Sequence, residues 1–148
     1  MHYADVGVIP LNAKKCMSLC IGNLLFVDSF QFMAASLDEL CKGMRKEGVD
    51  DFVHTTRYFG RYEIFYQKCI YPYDYVNGPS KLDETALPPK VAFYNSLADE
   101  HIDDEQYARA CEMSERLSMK TMRDYTCHYM VLDVLILAHL FVKFRHTI

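Results

Sequence analysis

The stretch Cys16-Met-Ser-Leu-Cys-Ile-Gly-Asn-Leu-Leu-Phe-Val-Asp-Ser29 decides the fold class. Two β-prone runs, residues 16–21 and 24–29, flank Gly22-Asn23, a dipeptide suited to a tight hairpin turn. A shorter apolar run at residues 6–10 predicts a strand before them. Beyond Ser29 the spacing becomes helical. Leu37, Leu40, Cys41 and Met44 recur at helical intervals, Ser36 and Glu39 are placed to open the helix, and Gly48 closes it. Residues 51–60 give no clear pattern. Residues 62–70 predict a short helix with Tyr62, Phe65 and Tyr66 on one face, broken at Tyr71-Pro72-Tyr73.

Asn77-Gly78-Pro79-Ser80 predicts a turn. Pro88-Pro89 opens a brief helix through Phe93, Tyr94 and Leu97. Asp103 has the look of an N-cap, with Gln106 three residues later, and its helix extends to about Leu117. Thr121 starts the last helix. Strands followed by helices predict an α/β chain, half of a mixed sheet covered by helices. With 148 residues, one domain is expected.

Composition narrows the function. The chain is 51% hydrophobic, enough for a core, and carries a net charge of −4. That balance argues against a free-standing nucleic-acid binder held by charge alone. The six cysteines contain no Cys-x-x-Cys pair, so zinc is weakly supported and free thiols in a reducing compartment are the better reading. The N-terminus has no basic region followed by an apolar core, which predicts no signal peptide. The apolar run at residues 129–141 is interrupted by Asp133 and His139, which predicts no membrane span. An intracellular protein is expected.

The most informative local feature is Tyr129-Met-Val-Leu-Asp133. On a helical projection of about 100° per residue, Asp124, His128, His139 and His146 share one side, where the histidines are expected to be solvated. Asp133 points the other way, into Tyr129, Met130, Ile136, Leu137, Leu140, Phe141 and Phe144. A carboxylate there is costly unless a cation, donors or a cleft meets it. Two readings follow: a site for metal-dependent phosphodiester cleavage, or a buried acid satisfied by backbone or hydroxyl donors.

Several segments in order resemble the exonuclease region of protein-primed family B DNA polymerases, the viral, organellar-plasmid and Maverick or Polinton kind. They are residues 24–33 (Leu-Leu-Phe-Val-Asp-Ser-Phe-Gln-Phe-Met), 36–40, 68–75 (Lys-Cys-Ile-Tyr-Pro-Tyr-Asp-Tyr), 84–90, 92–97, 102–107, and 124–125 leading into 129–138. The resemblance implies a partial ribonuclease H-like (DnaQ-like) exonuclease fold. It implies that Tyr129 and Asp133 match the third exonuclease motif, with Asp133 a ligand of the catalytic metals and Tyr129 positioning the attacking water. It implies single-stranded DNA contact by Ser29, Phe30 and Met33, a segment that in relatives also touches the terminal priming protein. Lys68, paired with Tyr71 in a Lys-x-x-apolar pattern, is implied to favour the phosphate being cleaved.

The chemistry agrees with those residue types. Two divalent ions, Mg2+ or Mn2+, about 4 Å apart can clamp the attacking and leaving oxygens. A lysine adds charge where the phosphorane develops. Aromatic side chains suit a frayed 3′ end, bound by stacking. Arg57, Arg61 and Lys68 offer a modest basic cluster for phosphates.

The family's two earlier acidic motifs do not occur before Val27. Nor does a polymerase domain follow residue 144. The expectation is a single truncated domain over residues 1–148, the C-terminal part of that exonuclease domain, without the polymerase domain. It is expected to be inactive alone, to hold no metal stably, and to have DNA as partner, not membrane. The alternative is a non-catalytic DNA- or protein-binding remnant of a transposon.

Overall fold

The structure, a computed structural model, describes residues 6–12, 15–27 and 35–147, with side chains for 6–9, 18–27 and 35–146. The chain divides into two compact units, Met1–Ser36 and Leu37–Ile148.

The first unit holds an antiparallel sheet of order β1-β2-β3, formed by β1 (Val6–Asn12), β2 (Lys15–Ile21) and β3 (Leu24–Val27). Ile21 faces Val6 on one side and Leu24 on the other. Gly22 takes φ +58° in the turn after Ile21, the left-handed conformation that a tight hairpin needs. The β1–β2 register shifts on both sides of Pro10, which has no N–H for the ladder. The strand expected over residues 24–29 ends at Val27, and Ser29, Phe30 and Met33 lie outside the described residues.

The second unit is built on four helices: α1 (Leu37–Glu47), α2 (Val53–Phe59), α3 (Asp104–Arg116) and α4 (Met122–Thr147). The chain is therefore mixed α/β, a small antiparallel sheet followed by helices. Asp38 and Glu39 open α1 and Arg45 and Lys46 close it, each sign matching the helix dipole, while Cys41 and Met44 are buried. α3 starts in a full capping box. Asp103 accepts the Gln106 N–H at 2.6 Å and Gln106 Oε1 accepts the Asp103 N–H at 2.9 Å.

α2 lies in the stretch whose sequence gave no pattern. Val53, Thr55 and Thr56 are poor helix formers, and burial of Thr55 and Phe59 holds the helix instead. The helix expected over residues 62–70 is absent, leaving a 3-10 turn at Glu63–Phe65. Phe65 stacks on Phe59 with ring centroids 4.7 Å apart, and Tyr66 meets Phe52 at 5.0 Å. A continuous helix would carry one of those adjacent rings away. The brief helix after Pro89 likewise shrinks to a 3-10 turn at Lys90–Phe93. Leu97 stands in solvent, and an antiparallel bridge between Asn95 and Glu100 closes the loop.

α4 is the central helix of this unit and meets α1, α2 and the 3-10 turn Pro79–Asp83. Met122, Tyr125, Tyr129, Leu132, Ile136, His139 and Leu140 are buried. The buried arc is thus rotated from the expected apolar stripe, leaving Met130, Leu137 and Phe141 exposed. His139 joins the core rather than a solvated face. Within residues Met122–His146 an 18-residue window reaches mean hydropathy 1.6, so this helix is long and apolar enough to cross a membrane by length and composition. The absence of a membrane span, expected from the interruptions at Asp133 and His139, is compatible with this helix, which carries the buried face just described.

Candidate functional site

Thr121 begins α4, its hydroxyl accepting the Asp124 N–H, while Asp124 Oδ2 accepts the N–H groups of Lys120 and Thr121. These bonds hold the Asp124 carboxyl below its ordinary range. Asp124 therefore caps the helix rather than joining a histidine cluster.

Two turns on, Tyr129 is buried, its Oη 2.5 Å from Tyr73 Oη and its ring stacked on Tyr71 at 4.7 Å. Tyr71 is fixed in turn by its hydroxyl, 3.0 Å from Thr126 Oγ1. Burial first, then the bond to Tyr73, pushes the Tyr129 phenol upward. It is a neutral hydroxyl at physiological pH.

Asp133 follows one turn later and is half-buried. Its Oδ1 is sealed from solvent with no hydrogen-bond partner. Burial raises the carboxyl above its ordinary range; the Tyr129 hydroxyl and then the Lys68 ammonium oppose this. The Tyr129 hydroxyl serves the carboxyl, while Oδ1 is left without a donor among the described residues. Such an oxygen is what a bound cation or ligand donor would complete.

Lys68 is half-buried and makes no ion pair among the described residues. α1 anchors its segment: Cys41 Sγ donates to the Tyr66 carbonyl at 3.1 Å and interacts with the Lys68 backbone. Burial pushes the Cys41 thiol up to about 11, and that of Cys69 equally. Both are inert packing thiols at neutral pH. Cys20, Cys111 and Cys127 are also unpaired.

Tyr129 and Asp133 thus lie together on α4, and the Lys68 charge acts on the Asp133 carboxyl. Ser29, Phe30 and Met33 lie outside the described residues. Arg61 is tied to Asp50 at 3.0 Å. Tyr73 escaped the sequence reading, although Tyr71 and Tyr73 alternate as same-side residues of an extended segment would. Arg109 escaped too, although Gln106, Arg109, Ala110 and Met113 share one face of α3 at helical spacing.

Among the described residues, no group of three or more His, Cys, Asp and Glu side chains gathers to hold a metal. Asp133 alone does not fit a two-ion centre, which needs several carboxylates. What the cluster offers is an acid with an open oxygen, a phenol network and an unpaired lysine. Comparison with protein-family models, curated proteins and solved structures finds no match for this chain.

Proposed function

We propose that this chain carries part of a 3′–5′ exonuclease site of the family B DNA polymerase kind, on a partial ribonuclease H-like fold, and that it engages a single-stranded 3′ end without cleaving it alone. The observation that carries the reading is Asp133 Oδ1, buried and unpartnered beside Tyr129 and within the field of Lys68. A phosphodiester laid against Lys68 would gain a charge-assisted contact. Tyr71 and Tyr73 supply aromatic surface for a frayed base. Cleavage would need Mg2+ or Mn2+ held by further carboxylates, and the described residues do not supply them.

The test is fluorescence anisotropy with a 3′-labelled single strand in magnesium, followed by a cleavage assay on the same mixture. Salt-sensitive binding, weakened about threefold to tenfold by Lys68→Ala, with the strand left intact, is expected. Absence of binding at low salt would remove the reading. Binding indifferent to both magnesium and Asp133→Asn would favour the non-catalytic DNA-binding alternative.

A further inference from the structure

A cavity of about 260 Å3 opens in the second unit, lined by Tyr71 and Tyr73 but not by Tyr129 or Asp133. The start of α1, residues 68–73, the loop at 93–102 and α3 enclose it. Three cationic side chains line it: Lys42, Lys68 and Arg109. Two acids, Asp38 and Glu100, line it as well, and Asp38 pairs with Lys42 at 2.6 Å. Arg109 makes no ion pair among the described residues, and its Nε is sealed from solvent without a hydrogen-bond partner.

An unsatisfied guanidinium donor is costly to bury. The bond to Asp38 holds the exposed Lys42 ammonium above its ordinary range, and the Arg109 charge acts the other way. With Lys42 answered by Asp38, the cations Lys68 and Arg109 outnumber the one remaining lining acid, Glu100, and the balance favours an anion. Arginine presents a fork of donors that matches phosphate geometry. The cavity rim adds Tyr73, half exposed, as a flat surface for a planar ring. The volume is near the lower end for ligand pockets, about 300 Å3, so it suits one small ligand and not a length of strand.

We propose that this cavity binds a nucleoside monophosphate. Arg109 and Lys68 hold its phosphate, Lys42 neutralises charge at the rim, and Tyr73 carries its base. The assignment rests on the exonuclease reading for Lys68 and Tyr73 and deepens it with Arg109 and Lys42, while neither Asp133 nor a metal takes part.

The test is isothermal titration of the full chain with thymidine monophosphate in EDTA, alongside thymidine and inorganic phosphate. Thymidine monophosphate is expected to bind, thymidine at least about tenfold more weakly, and Arg109→Gln is expected to weaken nucleotide binding about tenfold. Lys42→Gln, at an exposed rim position, is expected to weaken it about threefold and serves if Arg109→Gln does not fold. Equal affinity for thymidine and its monophosphate would overturn the proposal. So would no nucleotide binding, or indifference of a folded Arg109→Gln protein. Inorganic phosphate binding as tightly as the nucleotide would overturn the base assignment. Because EDTA excludes divalent ions and the probe is not a strand, failure here is separable from failure of oligonucleotide binding in magnesium.

Discussion

His139 Nε2 accepts the backbone N–H of Thr55 at 3.2 Å, so a side chain of α4 caps the first turn of α2 from outside. α2 has no side-chain cap of its own at Phe52. The imidazole also stacks on His54 at 5.4 Å and meets Phe52 edge-on at 5.7 Å. Accepting through Nε2 requires the neutral ring with its proton on Nδ1.

That bond makes stability pH-dependent. Burial first, then the neighbouring His54, lowers the His139 pKa, while Asp51 acts the other way. Asp51 is itself bound to Lys143, which also reaches Glu47. Between the lowered folded value and the ordinary value of about 6.5, the unfolded chain takes up a proton that the folded chain refuses. The stabilisation is complete above the ordinary value and declines as pH falls below it. His139→Gln, whose amide oxygen can occupy the acceptor position, is expected to flatten that decline. Urea titrations between about pH 5 and 7 measure it, and an unchanged slope in the variant would exclude His139 as its source.

Thr55 gives a prediction of opposite sign. Its side chain is fully buried and Oγ1 has no hydrogen-bond partner. Thr55→Val removes the stranded hydroxyl, keeps the β-branched shape and leaves the backbone bond to His139. A gain of about 1 kcal/mol is expected. It should appear as a higher urea midpoint at constant slope.

These features show where the sequence was legible. Ends of elements were readable wherever local chemistry sets them. Asp103 with Gln106 marked α3, Gly48 closed α1, and Gly22-Asn23 placed the hairpin. α2 was opaque because its propensities oppose its state and its cap comes from His139, 84 residues away. The burial of His139 has the same origin. Helical projection fixes which residues share a face, but packing of α1 and α2 decides which face is buried. For the site, Tyr129-x-x-x-Asp133 was legible as one face of a helix. The arrival of Lys68 was not, since it depends on the irregular chain after Glu63–Phe65.

Gly60 tests one of those irregular joints. It has φ +86° and ψ 171°, backbone that is nearly exclusive to glycine. A Cβ there would also stand 2.9 Å from the Tyr62 ring. That ring cannot shift freely, because the Arg116 guanidinium lies over it at 4.7 Å. Gly60→Ala is expected to cost about 1–3 kcal/mol. A thermal melt unchanged from the parent would show that the turn relaxes without strain.

Asp133 sets function against stability. Its folded pKa is raised, so the folded chain holds the proton more tightly than the unfolded chain. A raised carboxylate contributes stability below its unfolded value of about 3.9, and that contribution is lost as pH rises through the folded value. At neutral pH the ionised group is therefore a liability, with Oδ1 lacking a donor. Asn in its place removes the charge at nearly constant volume. Asp133→Asn is expected to be more stable than the parent by about 1 kcal/mol or more at pH 7. The gap should close below about pH 4, where the parent's carboxyl is protonated in both states. Paired melts at the two pH values measure it. A variant less stable than the parent at pH 7 would mean that donors already satisfy the carboxylate, and the case for an open ligand position on α4 would go with it.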